Sequence, residues 1–138
     1  MVKDIDGRWA THPGGYAWYS GASYLNKLCG GAGTLYPPNS LPFSLVTDRE
    51  LFMDLAPTSD NIWFWLMAVK NGVKVRTSSH NVSTFNFSDK VVNTPALTTI
   101  NDNGEKMFWK HFYNILYMFP DIADKLEQEY VKIGRAHV

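Results

Sequence analysis

Disulfides are excluded from the outset: among 138 residues there is a single cysteine, Cys29, so the chain closes no internal bridge and builds no multi-cysteine metal centre. Such cysteine usage fits a reducing compartment. An excess of charge of either sign is also missing, because 13 Lys and Arg balance 13 Asp and Glu. Without a basic field, nucleic acid is not an expected partner. No apolar run approaches the roughly 20 residues that cross a bilayer, and the opening Met1-Val-Lys-Asp-Ile-Asp-Gly7 has none of the apolar core of a signal peptide. The expected location is therefore the cytoplasm. The sequons at Asn81 and Asn86 would matter only in a secreted chain. No internal repeat is visible.

Aromatic residues, by contrast, are abundant: Trp 5, Tyr 7 and Phe 8, in a chain that is 45% hydrophobic. That suffices for one domain with a real core. Aromatic rings bury well but also stack on sugars and bases, so composition fits both a plain core and a binding groove.

The most informative stretch is Thr58-Ser-Asp-Asn-Ile-Trp-Phe-Trp-Leu-Met-Ala-Val-Lys-Asn-Gly72. Pro57 closes what precedes it, Thr58 or Ser59 offers an N-cap oxygen, Asp60 puts a carboxylate on the first turn, and Gly72 provides a stop. From Ile62 to Val69 no residue is polar, so the spacing predicts a short helix buried on all sides. Asp60 and Asn61 then stand at the start of a rigid core helix, where a polar pair is a candidate site. The competing reading of Asp60 is a simple helix cap.

Around this helix the chain reads as follows. Met1–Val2 ends a strand, and Asp4-Ile-Asp-Gly7 closes a hairpin. Residues 8–21 form a loop with a short extended piece, and 22–28 a helical turn or strand. Cys29-Gly-Gly-Ala-Gly33 carries three glycines in four positions, which permit close backbone approach or positive φ, and Thr34–Tyr36 is a short strand ended by Pro37 and Pro38. No phosphate-binding loop is implied, because no Gly-Lys-Ser/Thr is present. Residues 39–46 are loop-like, Thr47-Asp-Arg-Glu50 is a capping box opening a helix over Asp48–Leu55, and Val73–Thr77 alternates as a half-exposed strand. Residues 78–100 are a long irregular connection containing His80. Phe108, Phe112, Ile115 and Phe119 share one face of a packing helix over Glu105–Phe119, on which His111 is structural. Pro120 breaks this helix, and Asp121 caps a last one from Ile122 to about Tyr130.

The final six residues, Ile133-Gly-Arg-Ala-His-Val138, are identical to one translated frame of a widely used sequencing adapter. We expect residues 1–132 to be the partial domain and 133–138 an adapter translation, and a chain that starts almost in a strand end to be cut there as well.

Two blocks, Gly30-Gly-Ala-Gly-Thr-Leu-Tyr-Pro-Pro-Asn-Ser-Leu41 and Leu51-Phe-Met-Asp-Leu-Ala-Pro-Thr-Ser-Asp-Asn-Ile-Trp-Phe64, resemble the C-terminal half of bacterial GT-A-type glycosyltransferases of capsular and surface-polysaccharide synthesis. The likeness runs from about Gly30 to Val75. It implies an α/β or α+β fold: the acceptor-side half of a GT-A domain, with an incomplete sheet and packing helices. It also implies transfer of a sugar from a nucleotide-sugar donor to a glycan acceptor hydroxyl, and is compatible with peripheral membrane association of the parent enzyme. The resemblance makes Asp60 the candidate general base, Gly30, Gly31 and Gly33 a close backbone approach to sugar, and Trp63 a wall of the acceptor site, although Trp63 also reads as core.

Two departures accompany the likeness. Where members carry a second acid, this chain has Asn61, an amide that accepts no proton. The nucleotide-binding half, with the Asp-x-Asp that holds a divalent cation (Mn or Mg) in the parent, has no counterpart; Asp4-Ile-Asp6 and Asn101-Asp-Asn103 have its spacing but read as turns. The fragment itself is thus expected to hold no cofactor and to be inactive alone. The alternative is a small non-catalytic carbohydrate-binding or interaction domain that uses Tyr16, Trp18 and Tyr19.

Overall fold

In a computed structural model, the structure describes residues 1–12, 21–28, 33–78 and 106–136. Tyr16, Trp18, Tyr19, Cys29, Gly30, Gly31, His80, the 79–100 connection and Asn101–Asn103 lie outside the described residues.

Among the described residues helices dominate, beside one small antiparallel sheet. Strands β1 (Val2–Lys3) and β2 (Trp9–Ala10) pair with Val2 opposite Ala10. The hairpin between them is held by Asp4, whose Oδ1 accepts the backbone N–H of Asp6 (2.9 Å) and of Arg8 (2.8 Å). Gly7 follows at φ 76°, as the turn requires. Asp4 and Asp6 therefore belong to a turn.

Among the described residues five helices follow: α1 (Phe43–Val46), α2 (Arg49–Leu55), α3 (Asp60–Lys70), α4 (Lys106–Met118) and α5 (Pro120–Ala136). The expected α/β or α+β composition thus takes the form of packed helices beside a hairpin. α3 is the hub, packing on α1, α4 and α5. Trp65, Leu66, Met67 and Val69 are each 0% exposed, and Trp65 stacks on Phe112 of α4 with centroids 5.9 Å apart. Burial on every side is what an all-apolar helix of this length demands.

Both ends of α3 are tied to other helices. At its C-terminus the N–H of Gly72 meets Val69 O (3.0 Å) and that of Val73 meets Ala68 O (2.9 Å), a Schellman turn with Gly72 at φ 74°. The carbonyls of Val69 and Lys70 also accept from Lys125 Nζ of α5 (3.3 and 2.8 Å), and Lys70 pairs with Asp121 at 2.9 Å. At the N-terminus, Ser59 occupies the cap position but makes no side-chain bond to its own helix. Its Oγ lies 2.7 Å from Nδ1 of the buried His111 on α4.

Several local expectations are corrected. The Thr34–Tyr36 and Val73–Thr77 strands do not form: 34–36 is irregular, and Val75 makes only an isolated bridge to Ser23. Pro37 and Pro38 remove the donors a ladder needs, and Asn26 Nδ2 takes the carbonyl of Val75 at 2.9 Å. The segment expected as loop before residue 47 contains α1, begun at Pro42. Asp48, not Thr47, caps α2, accepting Leu51 N–H at 3.1 Å, while Thr47 Oγ1 donates to Phe43 O. The last helix begins at Pro120 and runs past Tyr130 to Ala136. Pro120 occupies the first turn, where its missing N–H costs nothing. Ile122, Leu126 and Ile133 lie on one face and are all buried, so the apolar stripe extends beyond the expected stop.

A buried carboxylate closes the packing of α5. Glu129 is 6% exposed, accepts the N–H of Tyr24 at 3.4 Å and pairs with Lys74 at 3.1 Å. Among the described residues, no helix is long and apolar enough to cross a membrane.

Candidate functional site

Asp60 is the first residue of α3 and is exposed, while the helix behind it is not. Its Oδ1 accepts the N–H of Asn61 at 2.9 Å, which holds the carboxylate over the helix start. Asn61 is half-buried next to it. One turn further on, Phe64 shares the Asp60 face, as residues four apart on a helix do.

The segment that begins at Gly33 is brought to this face. Gly33 takes φ 99°, and a Cβ there would meet nothing within 4 Å, so the backbone conformation and not a close contact calls for glycine. Three residues later the ring of Tyr36 packs on Phe64, centroids 6.0 Å apart and planes at 57°. Burial raises the pKa of the Tyr36 phenol, a hydrogen bond with Thr34 opposes this, and the negative charge of Asp60 adds to the rise. Tyr36 thus stays protonated at neutral pH.

Trp63 faces the other way. It is 3% exposed, its Nε1 donates to Val46 O at 3.2 Å, and its ring lies against Phe52. It is a core residue that anchors α1 to α3. Gly33 is the one glycine of the candidate set among the described residues.

No family model, curated protein or solved structure matches the chain. Among the described residues no group of three or more His, Cys, Asp or Glu side chains could hold a metal ion. The donor set for the divalent cation implied for the parent enzyme is not found among them.

Beneath the site lies a contact that local spacing does not reveal. His111 is 2% exposed and bonded to Ser59, the residue immediately before Asp60. Burial lowers its pKa, with the neighbouring Lys110 charge adding, so the imidazole is neutral. What the arrangement offers a ligand is a fixed carboxylate, an amide beside it and a half-exposed aromatic ring with a neutral hydroxyl.

Proposed function

We propose that the chain is the acceptor-side half of a GT-A-type glycosyltransferase that builds a surface glycan from a nucleotide-sugar donor. The observation that carries this reading is the exposed Asp60 carboxylate at the head of a buried helix, with the Gly33–Tyr36 segment beside it. The two sequence blocks that resemble the family meet there. In this reading Asp60 is the general base.

The step is a displacement at the anomeric carbon. The acceptor oxygen forms the new C–O bond, the bond from that carbon to the nucleoside diphosphate breaks, and the hydroxyl proton passes to Asp60. A carboxylate held by the N–H of its neighbour has a fixed orientation, which favours attack from one geometry. Asn61 orients the acceptor by hydrogen bonding and takes no proton. The nucleotide sugar and its Mn or Mg ion belong to the other half of the parent enzyme.

The test is made in the enzyme that includes its upstream half. Replacing Asp60 by Asn should lower kcat by about 10²- to 10⁴-fold, the usual contribution of a general base, with donor KM little changed. Full activity in Asp60→Asn would remove Asp60 from the reaction, and a large gain in Asn61→Asp would move the base position to residue 61.

A further inference from the structure

We propose that Tyr36 is the platform on which a neutral pyranose ring of the acceptor stacks, with Asp60 and Asn61 taking its hydroxyls; this rests on the glycosyltransferase reading but is decided by a separate measurement. Tyr36 is 39% exposed, and Leu35 beside it is 91% exposed. Among the described residues no strand pairs with the segment that carries them, so the apolar surface there is not explained by sheet packing. The ring itself is not loose. Phe64 backs it from α3, and the exposed 39% of the residue is the part open to a ligand.

The chemistry selects the ligand class. A sugar ring offers an apolar C–H face for an aromatic surface and a rim of hydroxyls for polar groups, and such sites combine the two. Asp60, four residues before Phe64, places an acceptor-only carboxylate at the edge of that surface. An acidic sugar or a phosphate would meet this carboxylate unfavourably. Trp63, expected as a wall of the acceptor site, is turned into the core. Tyr36 takes that role instead, as a residue that contacts the acceptor and sets its specificity.

The chain as it stands can be tested. Its ¹H–¹⁵N and aromatic ¹H–¹³C spectra are recorded during titration with methyl β-glucoside, methyl β-galactoside, methyl β-N-acetylglucosaminide and their β-linked disaccharides, with glucuronate and methylammonium as charged comparisons. We expect at least one neutral glycoside to shift the Tyr36 ring, Phe64 and the Asp60 amide. We expect Tyr36→Ala to weaken that binding about tenfold or more, as loss of a stacking partner does. Tyr36→Phe, which keeps the stacking face, should bind within about threefold of the parent chain. Circular dichroism of both variants checks that they fold.

The proposal is overturned if no neutral glycoside shifts these signals, if Tyr36→Ala binds as well as the parent, or if methylammonium or glucuronate takes the site in preference. Sugar binding at Tyr36 with no transfer activity in the extended enzyme would sustain the platform and defeat the transferase reading. Transfer activity indifferent to Tyr36 would do the reverse.

Discussion

Ser59 stands where a helix normally uses a side-chain oxygen to cap itself, yet its hydroxyl is hydrogen-bonded with His111, a residue of another helix. The bond is short at 2.7 Å and both partners are buried. It fixes the backbone one residue before Asp60, so the site inherits its position from α4. The pH dependence follows. Burial, helped by Lys110, lowers the pKa of His111 from its ordinary 6.5, so the folded chain binds this proton less readily than the unfolded chain. Stability from this residue is complete above about pH 6.5 and is lost as pH falls from there through the lowered folded pKa. Urea midpoints should therefore drop between pH 7 and pH 5, and more steeply for the parent than for His111→Gln. Equal slopes in the two proteins would show that His111 does not titrate with folding.

The residues that the sequence made legible are those whose role is local. Asp60 at the head of α3 follows from Pro57, the cap residues and the apolar run after it, all within a few positions. Tyr36 does not, because its meaning depends on Phe64, far along the chain, and a lone tyrosine before two prolines has no local signature. His111 is half-legible. A histidine on a packing face reads as structural, but nothing in its neighbourhood points to Ser59.

At the scale of elements, α3 was the clearest to read, since its caps and its uninterrupted apolar stretch agree. Its C-terminal stop gives a sharp expectation. Gly72 has φ 74° and open space, its hypothetical Cβ no nearer than 3.9 Å to Tyr24 Oη, so the cost of a side chain there is conformational and not steric. Gly72→Ala should destabilise the fold by about 1–2 kcal/mol, the penalty of a left-handed residue with a Cβ. Gly72→Asn should cost less, because asparagine enters that region more readily. Thermal denaturation of the two variants checks the order, and an alanine variant as stable as the parent would contradict the Schellman assignment. The strands read least well. Val73–Thr77 has the alternation of a strand, but alternation predicts pairing only where a partner edge exists, and Ser23 supplies one bridge. α5 runs past its expected end because Ile133 continues the buried stripe of Ile122 and Leu126.

Across the whole molecule, a buried helix is tethered at one end to α5 through Lys125 and Asp121 and at the other to α4 through His111. Its exposed head carries a carboxylate beside a backed aromatic ring. Cross-helix tethers set the precision of such a site, and they are contacts between distant segments that no local pattern encodes. The most direct measurement of the central claim is the DNA sequence upstream of Met1 at the source. The same frame should continue through a nucleotide-binding half with an apolar strand ending in Asp-x-Asp. An in-frame stop with a ribosome-binding site and start codon at Met1 would contradict it.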